Sequence, residues 1–379
     1  MSVEIRKVAT KRDLKTFIRF NYELYKDNPY SVPDLYEDML STFSKEKNPA
    51  FEFCEAEYFL AYRDGKVVGR VAAIINRRAN ETWGKQAVRF GWIDFIDDFE
   101  VSSALIGAVE QWGSERGMEE IEGPLGFTDM DPEGMLIEGF DKLSTIATIY
   151  NFPYYPQHME RMGMEKENDW IEQLISVPDA IPEKHLRIAD MVKNRYKLHI
   201  HKIRSKRDVF HNGLGHRIFE LINEAYAPLF GYSRMTNRQI DEYVKSYLPI
   251  LDLRMVTLVE DEEDNIVAVG ISMPSMSKAM QKAHGKLLPF GWWHLLKALK
   301  WKHSDRLDLL LVAVRPDFQG KGVNALLFTD LIPVYRQMGF RYAESNPEME
   351  TNDKVQNQWQ YFSEVVHKRR RCYKMDIKN

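Results

Sequence analysis

The chain spells out the same order of elements twice. Residues Val3 to Leu14, VEIRKVATKRDL, lie over Leu198 to Val209, LHIHKIRSKRDV, with Ile5/Ile200, Lys7/Lys202, Lys11/Lys206, Arg12/Arg207 and Asp13/Asp208 identical. An internal repeat of this length constrains the fold more than any single motif, because each copy must build the same supersecondary unit around its own core. Each copy opens with a strand, a polar turn and a helix start. YFLAYRDGKVVGRVAAII and MVTLVEDEEDNIVAVGIS then read as pairs of β-rich runs joined at Asp64-Gly65 and Asp264-Asn265, turn pairs that accept positive φ. A strand, a helix and a strand follow in both. Between the copies, Pro178 and Pro182 precede a helical pattern. The boundary falls there, giving domains 1–180 and 181–379.

A chain of 379 residues with 44% hydrophobic content can fill two cores. Its net charge of -4 argues against a nucleic-acid binder working through bulk electrostatics. Cys54 and Cys372 give neither a disulfide framework nor a CxxC metal pair. His199 and His201 share one face of a strand, but no third ligand is evident in the sequence, so no metal is expected. The opening MSVEIRKVATKRD has no apolar signal core, and no run approaches the roughly 20 apolar residues of a membrane span. A cytoplasmic protein is expected, with contact at the inner membrane surface as the variant that the insert described below would allow.

The most specific local feature is VRPDFQGKGVNALLF, Val314 to Phe328. Pro316 ends the strand LDLLLVAV because it cannot donate to a ladder. Gly320 and Gly322 let the backbone turn so that several N–H groups enter one small volume. A helix beginning near Val323, with the stripe Leu327, Leu331, Val334 and Met338, aims its positive end at the same place. Pro333 should kink that helix. The result is an anion cradle. The first copy has DDFEVSSALI here, with Glu100 near the cradle position, so one anion site per chain is expected.

With this motif the second copy resembles the GNAT acyltransferase superfamily, whose signature is a strand, then Q/R-x-x-G-x-G/A, then a helix. Here it reads Gln319-Gly320-Lys321-Gly322-Val323-Asn324, with Asn324 in the usual Gly/Ala position, crowding the pantetheine or bonding to it. The first copy shares the topology only. The resemblance implies an α+β fold of two tandem GNAT-like domains, each a mixed, mostly antiparallel sheet flanked by helices. It implies acyl-CoA or acetyl-CoA as co-substrate, its pyrophosphate on residues 319–324 and its thioester carbonyl near the backbone of Val312 and Val314. Tyr361, in NQWQYFSE, lies near the place where the family often keeps a tyrosine acid; packing beside Trp359 and Phe362 is the plainer reading. For the base, Asp308 and Glu344 sit at neighbouring strand ends, each open to the alternative of a solvated carboxylate. HKRRRC, His367 to Cys372, reads as a basic terminal strand or one facing the coenzyme's phosphates.

Two segments point to the acceptor. A long Gly, Pro, Asp and Tyr-rich stretch offers Asp129, Asp131, Tyr154 and Tyr155 as a wall for a cationic amine. An insert near 274–304 is the other. From Asn265 to Ser304 there is no Asp or Glu, while Lys278, Lys282, Lys286, Lys297, Lys300 and Lys302 fall within it. Trp292, Leu295, Leu296 and Leu299 follow helical spacing, a basic amphipathic pattern suited to a membrane surface or a greasy substrate, with Trp292 and Leu296 as contacts. A stripe docked on the protein body is the alternative. A looser resemblance to bacterial proteins linked to ceramide synthesis fits the lipid reading. The expected function is N-acyl transfer from acyl-CoA to an amine, a long-chain amine in particular. Small-amine acetylation and a non-catalytic acyl-CoA sensor are the alternatives.

Overall fold

The computed structural model describes residues 2–301, 304–359 and 362–378. Its strands are β1 (Glu4–Lys7), β2 (Cys54–Arg63), β3 (Lys66–Asn76), β4 (Ala87–Phe95), β5 (Glu120–Gly123), β6 (Met135–Glu138), β7 (Glu165–Ser176), β8 (His199–His201), β9 (Val256–Glu260), β10 (Ile266–Pro274), β11 (Arg306–Val314), β12 (Tyr342–Ser345), β13 (Glu348–Met349) and β14 (Glu364–Asp376). Asp64 and Gly65 both take positive φ, 52° and 75°, and turn β2 back onto β3. Asp264, at φ 59°, serves the β9–β10 turn in the same way.

The first compact unit comprises Met1–Ile171, Met276–Leu296 and His367–Asn379. Its strands run in the order β1-β2-β3-β4-β5-β14-β7, with β4 and β5 parallel. β3 is covered on both faces, which is why VVGRVAAII lacks polar alternation. Val71, Ala73 and Ile75 pack with Val101, Leu105 and Val109 of the helix Phe99–Ser114. Ala72 and Ile74 pack on the other face with Phe17 and Ile18 of the helix Lys11–Leu24, whose start is fixed by a capping box between Thr10 and Asp13.

The second unit comprises Glu172–Ser275 and Lys297–Val366. The end of β7 starts the order β7-β12-β11-β10-β9-β8, in which β11 and β12 are parallel. The helices Glu183–Tyr196 and Asn324–Gln337 pack together over β9 and β10 through Ala189, Val192, Val259, Val267 and Leu327. The compact units divide between Ile171 and Glu172, and residues 276–296 and 367–379 cluster with the first unit. Among the described residues no helix is long and apolar enough to cross a membrane.

Candidate functional site

In the second unit, β11 and β12 pair from Arg306↔Tyr342 to Leu309↔Ser345 and no further. β10 stays paired with β11 out to Val314, but its register shifts between Ile271 and Ser272, leaving Leu310 as the extra residue of a bulge. A bulge bends its strand and ends pairing on the neighbouring side, so β11 leaves β12 here. Leu309 to Val312 are only half-buried in the middle of the sheet. Side chains serve the freed carbonyls: Asn346 Nδ2 donates to Leu310 O (2.7 Å), Tyr226 Oη to Val312 O (3.0 Å) and Gln319 Nε2 to Val314 O (3.2 Å). The N–H and C=O of a strand residue point the same way. The amides of Val312 and Val314 therefore face this opening.

β11 leads directly into the glycine turn. Gly320 and Gly322 have φ of 74° and 83°, conformations that favour glycine. A Cβ at Gly320 would meet nothing within 4 Å, whereas one at Gly322 would lie 2.8 Å from Ile188. Gly320 thus fronts open space and Gly322 packs the turn onto the helix Glu183–Tyr196. Lys321 N donates to Phe318 O, Ala325 N to Gly322 O and Leu326 N to Val323 O. Among the described residues, the N–H groups of Gly320, Gly322, Val323 and Asn324 have no acceptor, and no side chain caps the helix Asn324–Gln337. Pro333 sits inside this helix, which runs through to Gln337. Lys321 Nζ lies over the rings of Phe318 and Tyr196 (5.0 and 5.3 Å), while Arg315 is paired with Asp317 (2.8 Å) and Asp261 (3.4 Å). Asn324 turns its side-chain amide to Gln358 Oε1 (2.8 Å) and has a partner within the protein.

Asp308 and Glu344 face each other in register just before the strands part. Both are buried, at 1% and 4% exposure, which removes the solvated-carboxylate reading. Arg306 Nη1 is 3.7 Å from Glu344 Oε2. Sequence reasoning missed Glu348. It stands two residues past Asn346, accepts hydrogen bonds from Trp359 Nε1 (2.9 and 3.2 Å), and burial pushes its carboxyl up to about 7. Its only sequence signal was its place just after a strand end. Tyr361 lies outside the described residues.

The first unit has no equivalent cradle among its described residues. Asp98 caps the helix Phe99–Ser114 by accepting from Glu100 N (3.0 Å), and Arg63 pairs with both Asp98 and Glu100. Instead the unit holds a cavity of about 40 Å³ lined in part by Asn21, Asp34, Arg70, Trp92, Asp94 and Tyr155. Asp94 is paired with Arg70 (2.7 Å) and accepts from Asn21 Nδ2 (3.0 Å). Tyr155, 1% exposed, donates to Asp94 (3.3 Å) and accepts from Tyr25 Oη (2.8 Å) and Phe95 N (3.0 Å). Tyr154 Oη donates to Phe95 O (2.6 Å), and Asp131 accepts from Thr128 N (3.0 Å). The polar atoms of these three expected acceptor residues thus serve the fold, while Asp129 is half-buried. Lost hydration pushes Asp34 and Asp131 up to about 6. Asp34 was not singled out by the sequence, because nothing in VPDLY marks it as enclosed.

Two basic features find partners within the chain. Arg371 holds Asp169 through both guanidinium arms (2.8 and 2.9 Å), and Arg370 is buried with Nη1 on Ile149 O (2.5 Å). HKRRRC therefore lies in the terminal strand β14 and meets acceptors of the first unit. His199 does acquire the neighbours the sequence lacked, Glu260 and Asp264. His201 Nδ1 lies 2.7 Å and Arg217 Nη2 3.4 Å from Glu260, so cationic and hydrogen-bonding side chains of the chain already serve that carboxylate.

The stripe in the insert also divides. The expected amphipathic helix is present as Gly291–Lys300, and a second helix, Ser277–Ala283, precedes it. Trp292 is exposed, whereas Leu295, Leu296 and Leu299 are half-buried.

This architecture is the tandem GNAT fold. A tandem GNAT protein from the clavulanic acid biosynthesis pathway superposes with a TM-score of 0.56, covering 100% of this chain and 99% of that one at 12% identity. By sequence the chain is similar to protein YghO of Escherichia coli (strain K12), 28% identical over 385 residues, 98% of this chain and 95% of the relative. It is also similar to the bacterial ceramide synthase of Caulobacter vibrioides (strain NA1000 / CB15N), 26% identical over 324 residues, 82% of this chain and 80% of the relative. No family profile matches the chain.

Proposed function

We propose that this chain is an acyl-CoA-dependent N-acyltransferase of the cytoplasm whose acceptor is a long-chain, sphingoid-like amine. The observation that carries the reading is the uncapped turn beside the parting of β11 and β12, where the amides of Gly320, Gly322, Val323 and Asn324 have no acceptor among the described residues and Gly320 fronts open space. Coenzyme A fits on both counts. Its pyrophosphate suits the unpaired amides, with Lys321 adding charge and Gln319 holding the turn through Val314 O. Its pantetheine suits the half-buried edge of β11. Bound there, the acyl donor supplies an activated thioester carbonyl.

The chain's own groups meet the remaining needs of the reaction. The N–H of Val312 or Val314 donates to the carbonyl oxygen as charge develops on it, a role that needs backbone and no special side chain. A carboxylate takes the proton that the amine loses; Asp308, Glu344 and Glu348 stand nearest the parting, and Glu348 has the proton affinity suited to a base working near neutrality. The leaving thiolate takes up a proton to become the free thiol, and Tyr361 is the proposed donor of that proton. Asp34 and Asp129 are the proposed contacts for a cationic acceptor.

The relative named a bacterial ceramide synthase and the apolar insert favour a lipid amine over a small one. Thiol release from palmitoyl-CoA and acetyl-CoA, each with sphinganine and with a short alkylamine, tests this. Turnover with palmitoyl-CoA and sphinganine is expected. Turnover with acetyl-CoA and the short amine alone would select small-amine acetylation, and coenzyme binding without any turnover would select a sensor.

A further inference from the structure

The part of the insert closest to the first unit is anchored on one side and bare on the other. Gln281 Nε2 donates to Pro29 O (2.9 Å) and Ser31 O (2.8 Å), Tyr36 N donates to Gly285 O (2.8 Å), and Ala279, Met280 and Ala283 are buried. Its other side forms an open recess lined by Lys278, Gln281, Lys282, His284 and His294. The same segment of the first unit exposes Leu288, Phe290, Trp292 and Trp293, each between 45% and 74% accessible. Lys286 is exposed among them, and no acidic residue occurs from Asn265 to Ser304.

Large aromatic side chains left in water are costly, and a contiguous group of them marks a contact surface. Charge decides between possible occupants. Lysines that interleave tryptophans, without a single carboxylate, complement a surface both apolar and anionic, as a bilayer of acidic phospholipids is. Tryptophan favours the headgroup level, and lysine stems lie along apolar surface with their ammonium groups in water. We propose that residues 276–296 dock the protein on an anionic phospholipid bilayer, with lipid phosphates in the Lys278, Lys282, His284 and His294 recess and Leu288, Phe290, Trp292 and Trp293 entering the interface. This stands independently of the acyl-transfer reading, since no acyl donor takes part.

Co-sedimentation of the full chain with vesicles of phosphatidylcholine, alone or mixed with phosphatidylglycerol, tests it. Binding is expected to the mixed vesicles and not to the neutral ones, and it should weaken as salt rises. Trp292→Ala with Trp293→Ala, and separately Lys278→Gln with Lys282→Gln, should each weaken binding by about tenfold or more while the melting temperature stays within a few degrees. If the tryptophan pair proves needed for folding, Leu288→Ser with Phe290→Ser gives the same readout. Failure of the parent to bind, equal binding to neutral vesicles, or folded variants that bind as the parent does would overturn the proposal. So would loss of binding to inorganic phosphate at constant ionic strength with the tryptophan variant unaffected, which would mark a seat for soluble anions.

Discussion

A carboxyl that burial raises to about 7 leaves a trace in stability as well as in chemistry, and Glu348 is such a group. Its folded-state value lies above the ordinary 4.5, so between those limits the folded state holds more of this proton than the unfolded state does. Stability must then fall as pH rises through that window, and the cost is complete above it. The rise corresponds to about 3 kcal/mol. Glu348→Gln keeps an acceptor for Trp359 Nε1 and removes the charge. The variant should be more stable than the parent at about pH 8 and equal to it at about pH 4, read from urea midpoints. If Glu348 is also the base, its kcat should drop by ~10²- to 10⁴-fold, whereas a purely structural group would move stability alone. Sequence could not single out Glu348 or Asp34 because both owe their properties to enclosure by distant segments. Asp308 and Glu344 were legible as neighbours, since strand order alone places them side by side.

At the scale of one element, the turn from β11 into the helix Asn324–Gln337 was the most legible part of the chain. Glycine spacing, a proline and an apolar stripe are local signals, and the structure reproduces the turn they describe. The bulge at Leu310 was not legible, because a bulge is a mismatch between two strands and neither strand shows it alone. The two glycines also divide labour that their spacing made look equal. Gly322→Ala should cost about 1 to 3 kcal/mol of stability, because it combines an unfavourable φ with a contact on Ile188. Lys321→Glu sits on an exposed side chain and should leave the melting temperature nearly unchanged. It should still weaken coenzyme A binding by about tenfold or more through like-charge repulsion. Calorimetry on the parent should give one site per chain, since Asp98 and Glu100 already hold the matching helix start in the first unit. Two equal sites, or unchanged affinity in Lys321→Glu, would refute the assignment of this turn.

At the scale of the molecule, the repeat in the sequence and the compact units do not coincide, and the reason lies in β7 and β14. β7 begins in the first unit and ends in the second, while His367 to Asp376 of β14 return from the end of the chain to lie between β5 and β7. Tyr373 to Asp376 pair with Gly123 to Glu120, and Arg370, Cys372 and Tyr373 are at most 1% exposed. Strand pairing across such a separation carries no local signature, so a boundary near 180 was the natural reading of the prolines. The difference matters for any attempt to divide the protein. A fragment of residues 1–180 would lack an interior strand, leaving β5 unpaired along one edge and the Tyr373 site in the core empty. Each large buried side chain lost costs about 2 to 5 kcal/mol, against a total domain stability of about 5 to 15 kcal/mol, so the deficit should exceed what the unit has. The fragment should therefore show no cooperative thermal transition and should bind a hydrophobic dye, and a synthetic peptide of residues 364–379 should restore part of the transition. A sharp, dye-free melt of the fragment alone would mean that β14 is dispensable to the first unit.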